Sequence, residues 1–311
     1  MSDCKVSVCI PTYNYAAFLP EAIESVLAQR CTDFELLIID DNSSDDTRSV
    51  VERYVRQDSR IRFSVNPVNV GMVQNWNLCL AQARGEYIKF IFGDDLLASP
   101  DALGRMAAVL DADSSVSLVC SARNIVDENS RLQQVKSHFK TGTVPGVEVI
   151  NQCLAWKRNL VGEPSVVMFR KEHAARGFSV GYRQIVDLEM WFYLLEQGSF
   201  AYIDEPLCSF RVHSRQETNK TKENDVRLQD DLNLVQQYLD KDYVTVSGFL
   251  KRYIRCDNAY AVWKLYRNNK LTKDQARRLI GTHHGYASFR FWLPFYKLFK
   301  PCFKLYRRCI L

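Results

Sequence analysis

The chain has 311 residues, 47% hydrophobic and 25% charged, a composition that excludes a disordered or fibrous polypeptide and allows a sizeable core. The length suits one large α/β domain with a helical appendage. The net charge of +5 is unevenly placed: residues 286–311 hold six basic side chains and no acid, leaving −1 on the other 285 positions. Basic character therefore belongs to a tail, and no nucleic-acid partner is expected for the body.

The ten cysteines are scattered singly with no C-x-x-C, so a zinc site or a redox pair has little support. Residues 1–5 are short and polar, with no apolar leader before Val6. The expectation is a reducing cytoplasm, free thiols, and cysteines that mostly serve as small core residues.

In chain order, 5–10 reads as a strand stopped by Pro11. Phe18, Leu19, Ile23, Val26 and Leu27 recur at helical spacing over 16–29, predicting a helix packed on that strand. FELLIID (34–40) is a continuous apolar run and so a buried strand. Ser43, Ser44 and Asp45 offer oxygens to cap a helix running to about 56. A strand at 61–65, a helix at 71–84 ended by Gly85, and a strand at 86–92 (EYIKFIF) follow, the last delivering Gly93-Asp94-Asp95 at its carboxyl end. A helix at 101–110 and a strand at 116–120 complete the regular half. Residues 124–145 loosen into polar, hairpin-like segments. A strand at 165–169, a helix after Asp187, and strands at 200–203 and 207–212 come next. Beyond Glu217 the pattern is helical: 225–239, 244–268 and 272–283.

Alternating strands and helices predict a largely parallel sheet, whose ligands collect at the carboxyl ends of the strands. Three polar clusters lie at such ends: Pro11-Thr12-Tyr13-Asn14, Asp40-Asp41-Asn42-Ser43, and Asp94-Asp95. Each alone is more often a helix cap. Together they point to a ligand, because paired carboxylates supply hard oxygens for Mg²⁺ or Mn²⁺, a cation that commonly bridges protein to substrate phosphates. The absence of G-x-G-x-x-G after the first strand and of G-x-x-x-x-G-K-[ST] lowers a dinucleotide oxidoreductase and a P-loop NTPase.

Five ordered segments, VSVCIPTYN (6–14), ELLIIDDNSSDDT (35–47), NVGMVQNWNLCLAQARGEYIKFIFGDD (69–95), GEPSVVMFRKE (162–172) and IVDLEMWFYL (185–194), closed by FRVHS (210–214), resemble family 2 glycosyltransferases of the glycosyltransferase A (GT-A) fold. That resemblance implies two abutting Rossmann-like halves over 1–217, nucleotide-sugar binding in about 1–120 and acceptor binding in about 121–217, followed by a helical region at 218–285. It assigns Pro11, Thr12 and Tyr13 to the base pocket, Asp41 to the N3–H of uracil or thymine, Asp94 to the ribose side, and Asp95 to the metal. Asp187 matches the general base, with Glu189 as second choice. His213 matches a metal or phosphate ligand and Arg211 a diphosphate contact, while Glu163, Glu189 and Trp191 border the acceptor. The Q-x-x-R-W pattern of processive synthases is absent.

Residues 286–311 (YASFRFWLPFYKLFKPCFKLYRRCIL) place Arg290, Lys297, Lys300, Lys304, Arg307 and Arg308 within an arc of ~100° at the helical repeat, with Phe291, Phe295, Leu298, Cys302, Leu305 and Cys309 largely opposite. This is the pattern of an interfacial helix too interrupted by charge to span a bilayer. Pro294 and Pro301 predict a kink or two pieces, and docking on the body is the alternative. The combined expectation is an inverting, non-processive transfer from a UDP- or dTDP-sugar, with Mn²⁺ or Mg²⁺, to a hydroxyl of a lipid-linked glycan. Its setting would be bacterial surface polysaccharide (lipopolysaccharide or capsule) assembly at the cytoplasmic face of the inner membrane, with residues 286–311 on anionic lipid. A catalytically silent scaffold and a sugar-phosphate nucleotidyltransferase are the rivals.

Overall fold

The computed structural model describes residues 4–214, 216 and 224–309, with side chains except at 224, 225, 282–284, 286 and 303–309. The expected border at 217/218 and the tail side chains of Lys304, Leu305, Arg307, Arg308 and Cys309 lie outside the described residues. The chain divides into two compact units. One comprises 1–149, 160–182 and 186–219; the other comprises 150–159, 183–185 and 220–311.

The first unit is built on β1 (Val6–Thr12), β2 (Phe34–Asp40), β3 (Ile61–Val65), β4 (Tyr87–Phe90), β5 (Leu96–Leu97), β6 (Val116–Val126), β7 (Leu132–Lys136), β8 (Gly142–Pro145), β9 (Val167–Arg170) and β10 (Ser199–Arg211). Among the described residues these form one sheet in the order β3-β2-β1-β4-β9-β6-β10-β5, with β7 on β6 and β8 on β10. β1 pairs in parallel with both β2 and β4, and β2 with β3. β9 runs antiparallel between β4 and β6, joining this parallel half to the parallel β6–β10 pair. Every residue of β1 and β2 is buried, as helices on both faces of a parallel sheet require. Those helices are α1 (Leu19–Leu27), α2 (Thr47–Val55), α3 (Met72–Gln82), α4 (Ala102–Ala112) and α6 (Val186–Leu195), while α5 (Gly146–Trp156) begins in this unit and ends in the second.

Three differences from the sequence expectation have physical causes. Pro11 lies inside β1 and does not end it. Cys9 O accepts from Ile91 N (3.0 Å) and Thr12 O from Asp41 N (2.9 Å), so alternation turns the missing donor of Pro11 toward β4, which stops at Phe90. The two strands expected at 200–203 and 207–212 are one, because register shifts against β6 on either side of Pro206 absorb the proline. Helix α5 lies between the expected hairpin segments and the strand at 165–169, where no element was expected, and its buried Val149, Ile150, Cys153 and Leu154 carry a helical spacing.

The second unit contains α7 (Asn224–Tyr238), α8 (Gly248–Arg267), α9 (Lys273–His284) and α10 (Tyr286–Cys309). Leu232, Ala259, Val262, Ala276, Ile280 and Phe289 form its core. Thr272 and Gln275 make a reciprocal capping box at the start of α9. The tail helix α10 continues through Pro294 and Pro301. It docks through Phe289, Leu293 and Tyr296, and the Tyr296 hydroxyl donates to Asp257 at 2.6 Å. No helix among the described residues is long and apolar enough to cross a membrane.

Candidate active site

The carboxyl ends of β1, β2 and β4 lie side by side by virtue of parallel pairing, and backbone contacts join the clusters that follow them. Thr12 O accepts from Asp41 N. A Cβ on Gly93 would lie 3.2 Å from the Thr12 hydroxyl oxygen. Thr12 thus stands between the β2 cluster and the Gly93-Asp94-Asp95 turn. Pro11 and Thr12 are buried, whereas Tyr13 is 42% exposed and presents its ring at the rim.

Asp41 is buried and organises the loop before α3. Its Oδ1 accepts from Asn66 Nδ2 and Val70 N, both at 2.8 Å, and its Oδ2 from Gly71 N at 2.9 Å. Gly71 supplies the φ of +86° that this entry to α3 requires. A carboxylate has about four lone-pair sites, so one on Oδ2 remains for a further donor. Asn75 braces the loop from within, accepting from Asn66 Nδ2 (3.1 Å) and donating to Ile39 O (3.0 Å).

Asp94 and Asp95 are both buried, with Asp95 only 1% exposed. Asp95 Oδ2 accepts from the Ser165 hydroxyl at 2.5 Å and Oδ1 from Arg211 N at 3.0 Å. Burial, followed by the adjacent Asp94 charge, pushes the Asp95 carboxyl well above the usual carboxylate range, against the pull of those two hydrogen bonds. Two carboxylates held this close and this dry call for a counter-charge, and a hard divalent cation fits them. Among the described residues no three His, Cys, Asp or Glu side chains converge on one point, so substrate oxygens or water would complete such a coordination shell.

His213 is buried with Nε2 3.0 Å from Asp94 Oδ2, between the rings of Phe18 (4.6 Å) and Tyr15 (6.2 Å). His213 thus contacts Asp94 through Nε2 and orients that carboxylate. Arg211 departs from expectation. It is fully buried, and its guanidinium donates to Asp94 O (2.8 Å), Glu21 (2.9 Å) and the Ser130 hydroxyl (2.8 Å). It clamps β10 to α1 and to the β6–β7 turn and does not lie open to a diphosphate. Burial alone would raise the Glu21 carboxyl, but hydrogen bonds from Ser130 and Arg211 hold it below its ordinary value.

Asp187 is the second residue of α6 and half-buried. Trp191, one turn later, is fully buried against Phe169 and Phe178. Its indole N–H donates to Gly162 O at 2.9 Å, so α6 is tied to the segment that carries Ser165. Trp191 is therefore a support beneath Asp187 and not an acceptor contact. Glu189 is likewise buried, both oxygens held by the Arg176 guanidinium at 2.7 and 2.8 Å, a bidentate ion pair that turns it away from the acceptor side. Glu163 is partly exposed and ion-paired with Arg123 at 2.7 Å.

Lys89 escaped the sequence reading. It is fully buried in β4, and its ammonium donates to the Ser165 carbonyl and, at 3.4 Å, to Val167 O. The available signal was a lone charge inside the apolar run EYIKFIF, where a buried lysine must find acceptors.

Residues 7–178 match the family described as Glycosyl transferase family 2. The chain belongs to that family. An uncharacterised protein of Mycobacterium tuberculosis is 32% identical over 225 residues, covering 69% of each chain. A Campylobacter jejuni GalNAc(5)-diNAcBac-PP-undecaprenol beta-1,3-glucosyltransferase is 43% identical over 96 residues, 30% of this chain and 31% of that one. In fold, the chain is similar to Staphylococcus aureus TarS residues 1–349 in complex with UDP-GlcNAc, with a TM-score of 0.66 at 21% identity over 90% of this chain and 80% of that one. The chain is a family 2 glycosyltransferase with a GT-A fold.

Proposed function

We propose that this family 2 enzyme transfers one sugar from a UDP- or dTDP-sugar to a hydroxyl of a lipid-linked glycan, with inversion, during bacterial surface polysaccharide assembly at the cytoplasmic face of the inner membrane. The observation that carries the reading is the buried Asp94-Asp95 pair at the end of β4, beside the Asp41 loop and Thr12. The glycan acceptor is favoured by the likeness to the undecaprenol-linked glucosyltransferase.

Tyr13 packs on the base at the rim, with Pro11 and Thr12 forming the floor behind it. Asp41 Oδ2 accepts from the base N3–H with its remaining lone pair. Asp94, oriented by His213, holds the ribose side. Asp95, fixed by Ser165 and Arg211 N, holds the cation. When bound, Mn²⁺ or Mg²⁺ supplies counter-charge to the diphosphate as it leaves. Asp187 takes the proton from the acceptor hydroxyl as its oxygen attacks the anomeric carbon and the bond to the diphosphate oxygen breaks. A single displacement of this kind inverts the anomeric centre.

The test is a panel of nucleotide-sugars scored for nucleoside diphosphate release, with and without EDTA. A UDP- or dTDP-sugar is expected to be cleaved in the presence of Mn²⁺. Asp95→Ala is expected to lose at least ~100-fold, and Asp187→Asn to lose transfer while retaining donor binding. Full activity of Asp95→Ala would sink the metal assignment. Release of pyrophosphate would favour a nucleotidyltransferase.

A further inference from the structure

The second unit carries a charge excess far larger than that of the tail alone. Residues 248–311 contain fifteen Lys and Arg against Asp257 and Asp274, a balance of +13 in a chain whose total is +5, so residues 1–247 carry −8. The structure adds a second, independent feature. Among the described residues the exposed phenylalanines are Phe249, Phe291, Phe295 and Phe299, and all lie on α8 and α10.

Helix α10 presents three strips. Phe289, Leu293 and Tyr296 face the core. Phe291, Phe295, Leu298 and Phe299, spaced i, i+4, i+7 and i+8, form an outer strip, with Leu298 69% exposed and Phe291 65%. Arg290 and Lys297 are exposed on the flank between these strips. From α8, Phe249 extends the apolar strip, its ring 6.0 Å from that of Phe299. Arg252 reaches over the Trp292 ring at 5.1 Å. A shallow groove lined by Phe249, Arg252, Tyr253, Trp292, Phe295 and Phe299 runs between the two helices.

We propose that this α8–α10 face seats on an anionic lipid surface, with Phe249, Phe291, Phe295, Leu298 and Phe299 entering the headgroup–acyl boundary and Arg252, Arg290 and Lys297 meeting lipid phosphates. An apolar strip bordered by cations is what an interfacial helix needs, since burial of the strip and attraction to anionic headgroups act together. A second copy of this chain is disfavoured as occupant, because two surfaces of this positive charge repel. A nucleic acid would engage the cations but leave Leu298 and the phenylalanine strip in water. The face widens the interfacial surface from one helix to two. It also reassigns Lys300, which is drawn inward toward Asp257 (3.9 Å) and the rings of Tyr260 and Tyr296. The inference extends the lipid-linked acceptor reading, and its test does not depend on it.

The test is flotation of the full chain with vesicles of phosphatidylcholine alone or with about 30 mol% phosphatidylglycerol, alongside sedimentation analysis of the free protein. The full chain is expected to float with the anionic vesicles and about tenfold less with the neutral ones. Phe291→Ser/Phe295→Ser/Leu298→Ser and, separately, Arg252→Gln/Arg290→Gln/Lys297→Gln are each expected to lower anionic partition at least ~tenfold. Both should keep the thermal midpoint and the release of nucleoside diphosphate with a water-soluble acceptor. The proposal is overturned by failure of the full chain to float, or by undiminished flotation of both variants. It is also overturned by a dimer that the apolar variant dissolves, or by retention on an oligonucleotide in place of vesicles. Loss of transfer with intact flotation would instead reject the proposed reaction and leave this face standing.

Discussion

Asp95 receives a hydroxyl hydrogen bond from Ser165 on one oxygen and a backbone N–H from Arg211 on the other, and Lys89 holds the carbonyl of the same Ser165. This second layer sets the direction of the carboxylate that is proposed to hold the cation, and such outer partners commonly alter metal affinity by 10–100-fold. Ser165→Ala is therefore expected to raise the Mn²⁺ concentration for half-maximal nucleoside diphosphate release about tenfold. The thermal midpoint should move little. A Mn²⁺ titration checks this, and an unchanged half-saturation point would remove Ser165 from the site. Arg211 is a different kind of residue, buried and engaged by α1, the β4 turn and the β6–β7 turn at once. Arg211→Met should cost about 3 kcal/mol of stability, read by urea denaturation. A variant as stable as the parent would show that the clamp is dispensable.

At the scale of elements, the pairing of β1 with β2 and the turn after α3 depend on one buried carboxylate. Glu35 accepts from the Ser7 hydroxyl (2.5 Å), Arg62 (2.6 Å) and Arg84 N (2.6 Å). Burial would raise its pKa, but the hydrogen bonds from Ser7, Arg62 and Arg84 outweigh that and hold the carboxyl below its ordinary value. A depressed folded-state value means a stabilisation fully present above the unfolded value of about 4.3 and lost as pH falls through the folded one. Glu35→Gln should lower stability by about 1–2 kcal/mol at pH 7 and flatten the loss on the acid side of pH 4, measured as urea midpoints across pH. A variant whose acid limb is as steep as the parent's would assign that loss to other carboxylates. Gly85 follows in the same turn. A Cβ there would sit 2.3 Å from Ser7 N and 2.7 Å from Val6 C, atoms of a buried central strand that cannot move aside. Gly85→Ala is expected to destabilise by at least ~2 kcal/mol, seen as a fall in the thermal midpoint.

For the whole molecule, charge is segregated along the chain, −8 over 1–247 and +13 over 248–311. The acidic part holds the proposed donor site, where counter-charge comes from a cation. The basic part is where the lipid face is proposed. Salt should therefore act on the two activities unequally. Raising NaCl from about 50 to about 500 mM shortens the screening length roughly threefold and should release the chain from anionic vesicles. Nucleoside diphosphate release with a water-soluble acceptor should change little. Equal loss of both would tie them to one surface.

The sequence by itself determined the family, the GT-A sheet and the clusters at its strand ends, because a buried parallel strand must be an apolar run and its ligand groups must follow that run directly. VSVCIPT, FELLIID and EYIKFIF announce themselves, and so do the Asp41 and Asp94-Asp95 turns behind two of them. The single strand through Pro206 was not legible, because a bulge is a property of two paired strands. Only the tertiary structure decided what the site's polar side chains touch. Arg211, Glu189 and Trp191 read as site residues from their place in a motif, yet burial turns them into a clamp, an ion pair and a support. The tail shows the same division. Its periodicity gave an amphipathic helix, while packing on α8 and α9 chose which strip went inward and which phenylalanines stayed out. Local spacing sets which side chains share a face, whereas the partner of each face is set by contacts between segments far apart in the chain.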